Sequence, residues 1–340
     1  MIRILTVEDV AALIAKHSLD QVLLDLIQML KADFSRWNEF NKIPRPAFHV
    51  PGGVIELMPI ADNEYFGYKY VNGHPQNPES GKQTVVATGQ LSKVKDGYPL
   101  LMTEMTVLTA LRTAATSALA TDLLARKDAK TIALIGTGAQ SDFQTLAHKL
   151  VRDIETVRYY DIDPDAMTRY QKNMAPYGLE LIACNNAEEA VDGADIVIIC
   201  TACKNHVDVI MDAWIKPGVH INGLGGDCPG KTEVEASLLK RTKNVVEFFE
   251  QSFIEGEIQR FSEDVAKSLI YAELWELVIN QKPGRTSDTE ITLFDSVGFA
   301  MEDFSVLKLA HKLAEQYDIG TDANMIPPIK DPKDLFSVLK

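Results

Sequence analysis

Two glycine-rich turns hold the residues whose types and spacing could do chemistry. The stretch GLGGDCPGKTE, Gly223 to Glu233, sets a single carboxylate, Asp227, directly after the Gly225–Gly226 pair and two residues ahead of Pro229. The stretch TIALIGTGAQSDFQTLAHKL runs apolar strand, turn, helix, with Gly136 and Gly138 at the spacing of a dinucleotide fingerprint. Gly136 permits the tight turn. Gly138 lets the backbone come close to a pyrophosphate, and the N–H groups of Ala139 and Gln140 at the helix start point at that anion. The third fingerprint position is Ser141 rather than glycine, small enough for close strand–helix packing.

The next apolar run ends VRYYDIDP, where an acidic side chain is placed to accept from an adenosine ribose and to repel a 2′-phosphate. Asp161 fits this place, with Asp163 as the alternative and turn formation as the plain role for either. The preferred cofactor is therefore NAD rather than NADP. Further strand ends fall at Thr201–Ala202 and at Asn222–Asp227. In a parallel sheet, ligands bind at such carboxyl ends. Asp227 is thus expected to project into the cleft beside the nicotinamide, with Gly225 and Gly226 letting the backbone crowd the ring.

The elements that must position these turns follow from hydrophobic period. From Thr6 to about Phe40, apolar residues recur at three and four, as in amphipathic helices. Alternating runs follow, GVIELMPI, YFGYKYVN and QTVVATGQLS, as in a largely antiparallel sheet, and KVKDGYPLL contains an Asp-Gly hairpin turn. A long Ala- and Leu-rich helical stretch ends near residue 126. Beyond it, strands and helices alternate to about residue 300, a βαβ signature whose strand candidates KTIALIG, TVRYYDID, DIVIICTA, VHINGLG and NVVEFF are too apolar for a solvated sheet. The segment from Asp295 to Gly298 reads as a loop opening a helix that returns to the first domain, and IPPIKDP as an irregular tail.

The expected fold class is α/β, a Rossmann-type doubly wound parallel sheet over 126–302, with a second, α+β domain over 1–125 completed by 303–340. A net charge of −14 over 340 residues repels phosphate backbones and anionic lipid, which argues against nucleic-acid and membrane partners. The opening residues carry Glu8, Asp9, Lys16, Asp20 and Asp25 among their apolar positions, so they offer no signal core and no span. The expected location is the cytoplasm. Cys200 and Cys203 form a C-x-x-C, with His206 and Cys228 following, but buried strand-end packing explains them better than a redox pair or zinc site. No metal is expected.

GGDCPGKTE, together with KYVNGHP, TALRTAATS, IEGEIQ and DSVGFAMED, resembles the ornithine cyclodeaminase and mu-crystallin family over nearly the whole chain. The resemblance implies NAD-dependent conversion of L-ornithine to L-proline and ammonia. It also implies a homodimer whose subunits join a Rossmann domain to a substrate-binding and dimerisation domain. Carried over by motif, Asp227 matches the catalytic aspartate, and Arg45, Lys69 and Arg112 match the ligands of the substrate carboxylate, Arg112 also approaching the cofactor. For NAD the matching positions are Thr84, Arg112, Ser117, Gly138, Ala139, Gln140, Asp161, Thr201, Asn222, Gly223, Leu224, Gly225, Lys231 and Ser296, with Val297 flanking the substrate.

The residue types suit that chemistry. Two arginines can grip a planar carboxylate bidentately and a lysine adds a point charge, which fixes Cα for hydride transfer. The δ-ammonium must lose a proton before it closes the ring and the departing α-amine must gain one, and a single carboxylate, Asp227, can serve both. Glu56 is either a second carboxylate near the amino groups or an outward-facing strand glutamate. Met58, Leu224 and Val297 are candidates to keep water from the imine. The rival activities are lysine cyclodeamination and net amino-acid dehydrogenation or ketimine reduction; a binding role without turnover fits less well with the retained Asp227.

Overall fold

Short β-branched runs flanked by glycine and polar residues become strands between residues 131 and 295, and helices cover both of their faces. The computed structural model describes residues 1–202, 206–226 and 228–340. Eight strands form one parallel sheet, in the order Glu180–Ala183, Thr156–Tyr160, Thr131–Ile135, Ile196–Ile199, His220–Gly223, Thr292–Asp295, Lys243–Val246, Ile270–Glu273. The first five run third, second, first, fourth, fifth along the chain, so the strand order reverses between Thr131–Ile135 and Ile196–Ile199. Their carboxyl ends open the crevice in which α/β sheets bind ligands. Burial on both faces accounts for the absence of alternation: Ile196, Val197, Ile198 and Ile199 are all fully enclosed.

The other eight-stranded sheet is mostly antiparallel. It runs Thr321–Ala323, Ile2–Leu5, Pro99–Glu104, Val85–Lys93, Tyr65–Gly73, Gly53–Ala61, Asn41–Lys42, and Ala47–Val50 pairs with Gly53–Ala61. The Asp-Gly turn closes the hairpin between Val85–Lys93 and Pro99–Glu104, with Gly97 at φ 75°. Alternation sorts the strands: Glu56, Met58 and Lys69 face inward, whereas Leu57, Phe66 and Tyr70 are exposed. The outward reading of Glu56 is therefore corrected, since register with Met58 puts it on the inner face.

Two helices join the sheets. Thr106–Leu124 is buried on nearly every side and packs on the helices Leu19–Ser35 and Ser141–Val151. Ala300–Tyr317 lies under the antiparallel sheet so closely that a Cβ on Gly67 would stand 3.1 Å from the Phe304 ring. The segment read as a loop does open this helix. Among the described residues, nine short strands were not among the candidates: Ile2–Leu5, Asn41–Lys42, Ala47–Val50, Glu180–Ala183, His206–Ile210, Thr232–Val234, Ile270–Glu273, Thr292–Asp295 and Thr321–Ala323. None is longer than five residues, too few for a period to show. Among the described residues no helix is long and apolar enough to cross a membrane.

Candidate active site

The glycine turn has the shape a dinucleotide needs. Gly136 sits at φ 95°, and a Cβ there would lie 2.8 Å from the Cys200 carbonyl oxygen, so only glycine lets the two strand ends touch. A Cβ on Gly138 would meet nothing within 4 Å, and Gly138 and Ala139 are exposed. The backbone from Gly138 to Gln140 thus opens onto free space at the start of the helix Ser141–Val151, where partial positive charge gathers. Ser141 is buried, and its hydroxyl donates to the Gly138 carbonyl at 2.7 Å, tightening the turn in place of the third glycine. Asp161 accepts from the Thr137 N–H at 2.6 Å and stands beside the turn. Asp163 instead accepts from the Asp165 N–H at 2.9 Å and caps the helix Pro164–Met174. These residues fit an NAD: an open N–H cradle and a nearby carboxylate.

A continuous arc of contacts leads from this turn across the strand ends. Gly136 abuts Cys200 and Thr201. The Thr201 hydroxyl donates to Glu233 Oε1 at 2.5 Å, and the Lys231 ammonium donates to the Thr201 carbonyl at 3.3 Å. A Cβ on Gly225 would fall 1.4 Å from Glu233 Oε2, so this buried glutamate occupies the space that glycine leaves. The Leu224 N–H donates to the Ile199 carbonyl and the Ser296 N–H to the Gly223 carbonyl, both at 2.9 Å. Glu247 then holds the turn after Thr292–Asp295, accepting from the Ser296 hydroxyl at 2.6 Å and from the Val297 and Gly298 N–H groups at 3.1 Å. Asp227 and Cys203 lie outside the described residues. The Cys200 thiol donates to the Gly136 carbonyl at 3.0 Å.

The arc ends on the three cations. Arg45 donates to the Val297 and Gly298 carbonyls at 2.6 and 2.9 Å and to Glu56 Oε2 at 3.1 Å, and its Nε is 2.9 Å from Glu255. Arg112 pairs with Glu302, and its Nε stands 3.1 Å from Asp303 Oδ1. Lys69 donates to that same oxygen at 2.9 Å. A side chain on Gly298 would run into the Arg112 guanidinium. Arg45, Lys69 and Arg112 therefore come from a loop, a strand and a helix to one turn at the carboxyl end of the parallel sheet. Lys69 is fully enclosed; burial, with the Arg112 charge beside it, pulls its ammonium down to about 8. Burial pushes the Glu302 carboxyl up to about 8.

Three expected cofactor positions bond to residues outside this arc. Thr84 lies in the turn before Val85–Lys93, where its carbonyl accepts from the His74 N–H, and no contact among the described residues joins it to the arc. Ser117 is buried in Thr106–Leu124, its hydroxyl donating to the Thr113 carbonyl at 3.0 Å. The Asn222 amide donates to Thr121 Oγ1 at 2.9 Å and to His148 Nε2 at 3.1 Å. His148 Nδ1 in turn donates to the Gln144 carbonyl at 2.7 Å, and burial lowers the imidazole to about 4, so it stays neutral and accepts.

The sequence profile of the ornithine cyclodeaminase/mu-crystallin family matches residues 7–317. The chain belongs to that family. Ornithine cyclodeaminase of Agrobacterium fabrum is 49% identical over 335 residues, covering 98% of this chain and 94% of the relative. A solved lysine cyclodeaminase, described as recognising L-lysine, L-ornithine and L-2,4-diaminobutyric acid, superposes with a TM-score of 0.93 at 28% identity, over 99% of both chains. An archaeal alanine dehydrogenase dimer with bound NAD gives a TM-score of 0.88 at 32% identity, over 96% of this chain and 99% of its own. The α/β class with a Rossmann-type parallel sheet, read from the glycine turn and the βαβ alternation, is the fold of these neighbours.

Within this family member, sequence reasoning missed the acids that organise the site. Glu247, Glu302 and Asp303 hold the turn and two of the cations, and Glu233 fills the space beside Gly225. Glu302 and Asp303 close the motif DSVGFAMED, which pointed at their neighbourhood but not at their partners. Glu233 closes the motif GGDCPGKTE, and Glu247 follows the apolar strand Lys243–Val246, a position that many solvated glutamates share.

Proposed function

We propose that this chain converts L-ornithine to L-proline and ammonia by NAD-dependent cyclising deamination. The observation that carries the reading is the unbroken arc from the glycine turn to Arg45, Lys69 and Arg112, in a chain 49% identical to an ornithine cyclodeaminase. When bound, NAD supplies a temporary acceptor for the Cα hydride and returns it, so no net oxidation occurs. The cofactor is held by Gly136, Gly138, Ala139 and Gln140 at the pyrophosphate and by Asp161 at the ribose, with Thr201, Gly225, Lys231 and Ser296 along the cleft.

The chain's own groups do the remainder. Arg45, Lys69 and Arg112 bind the substrate carboxylate and fix Cα. Asp227 takes a proton from the δ-ammonium, freeing its lone pair for attack at Cα, and delivers one to the departing α-amine. Glu56 Oε1 is buried and accepts no hydrogen bond among the described residues, which leaves it as an acceptor for a substrate ammonium. Met58 and Val297 are buried beside the cations and keep water from the ring-closing carbon. Purified protein given L-ornithine and catalytic NAD is expected to release ammonia and proline in equal amounts with no accumulation of NADH. NADH or a keto acid rising with ammonia would make it a net dehydrogenase, and turnover of lysine alone would move the reading to that substrate.

The division of labour we propose is 126–302 for cofactor and 1–125 with 303–340 for substrate and a second copy of the chain. The outer face of the antiparallel sheet supports the second copy: Phe48, Leu57, Phe66, Tyr70 and Val86 are exposed together on neighbouring strands, the kind of apolar patch that marks an interface. A cytoplasmic homodimer is the reading, and light scattering should give a particle of twice 37.7 kDa. A mass of one chain at micromolar concentration would refute it.

A further inference from the structure

The motif IEGEIQ, Ile254–Gln259, supplies Glu255 to Arg45, and two of its other side chains grip the loop that follows Asp227. Both stand on the 3₁₀ turn Glu257–Arg260. Gln259 Oε1 accepts from the Gly230 N–H at 2.6 Å. The Gln259 amide donates to the Cys228 carbonyl at 3.2 Å and the Lys231 carbonyl at 2.9 Å, and also to the Glu255 and Gly256 carbonyls at 2.9 Å, tying the loop to the turn. Glu257 is buried and accepts from the Glu233 N–H at 2.8 Å and the Val234 N–H at 3.1 Å, one on each oxygen. On the other side of Asp227, a Cβ on Gly226 would approach Glu257 Oε1 to 2.9 Å.

The turn is itself fixed to the sheet. Asp295 Oδ2 accepts from the Glu257 N–H at 2.9 Å, and the next residue, Ser296, donates its N–H to the Gly223 carbonyl. Described residues on both sides of position 227 are thereby held: Gly223 by Ser296, the backbone of Cys228, Gly230 and Lys231 by Gln259, and that of Glu233 and Val234 by Glu257. Burial alone obliges the Glu233 and Val234 N–H groups to find partners, but Gly230 is exposed and water could serve its N–H, so the Gln259 bond to it is not demanded by burial. A proton carrier does need it, since small displacements of a reacting group are costly.

We infer that Gln259 and Glu257 are positioning residues that act on turnover through the loop backbone that follows position 227. The inference rests on the role given to Asp227 above. Gln259→Glu keeps the acceptor for the Gly230 N–H and replaces the donor facing Cys228 and Lys231 by an acceptor. It is expected to lower kcat for L-ornithine by about 10²-fold, with KM and the Kd for NAD each changing by less than about threefold. Gln259→Met, apolar and of similar size, removes the same donor without a charge and is read in the same way if Gln259→Glu does not fold.

A loss confined to kcat in either folded variant supports the positioning role. Unchanged kcat overturns it, as does a loss of kcat matched by weaker NAD and ornithine binding, which is what a general distortion of the cleft produces. Asp227→Asn assayed alongside separates the two levels. An inactive Asp227→Asn with normal Gln259 variants overturns this inference alone, whereas an active Asp227→Asn removes the role of Asp227 and this inference with it.

Discussion

Asp227→Asn is expected to lower kcat for L-ornithine by about 10³-fold or more while leaving NAD affinity within about threefold of the wild type. The substitution keeps the size and one acceptor oxygen of the side chain and removes its charge and its basicity. A δ-ammonium that cannot shed its proton has no lone pair with which to close the ring, so turnover stops before either product leaves. In the proposed reading cofactor binding draws instead on the glycine turn and Asp161, which the substitution leaves alone. The check is steady-state release of ammonia and proline together with fluorescence titration of NAD. Turnover within about tenfold of the wild type would show that another group carries the proton.

Lys69→Met should lower kcat/KM for L-ornithine by about 10²-fold near neutral pH, most of it in KM, the cost of losing a charge-assisted contact to the carboxylate. Methionine fills the enclosed space, and Asp303 retains Arg112 as its partner, so the fold survives. The pH dependence carries the sharper signature. In the free protein the Lys69 ammonium is pulled down to about 8, because burial and the Arg112 and Arg45 charges outweigh the opposing pull of Asp303. Glu302, its carboxyl raised to about 8 by burial, ionises over the same range. Below that range Lys69 is charged and Glu302 neutral; above it the charges reverse and the site loses positive charge. Wild-type kcat/KM must therefore fall as pH rises through about 8, and the fall must be shallower in Lys69→Met. An identical alkaline limb in the variant would assign it to a group other than Lys69.

How much of this was legible in the sequence depends on whether a residue's role is local. Gly136, Gly138 and Ser141 act within one strand–turn–helix unit, so the 131–151 stretch exposes them. Asp163 could be told from Asp161 only when the helix Pro164–Met174 showed which one was its cap. Asn222 illustrates a different limit. In a parallel sheet both faces are buried, so period alone does not say that its amide meets Thr121 and His148. For Glu56 the alternation with Met58 held the answer, but the register became decisive only with Lys69 across the strand pair. Glu247, Glu302 and Asp303 could not be found by spacing, because each meets its partner from tens to hundreds of residues away.

The pairing of Ile2–Leu5 with Thr321–Ala323, and the seat of Ala300–Tyr317 beneath the antiparallel sheet, set an order for synthesis on the ribosome. The parallel sheet has all its strands once Asp295 has emerged, and it can form while the chain is still attached. The first hundred residues must wait, with Gly67 lacking Phe304 and Asp33 lacking Ser305 and Lys308, until residues 300–323 are released. The half of the protein made first is thus the half finished last, and during that interval its apolar inner sheet face is what a nascent-chain chaperone would encounter.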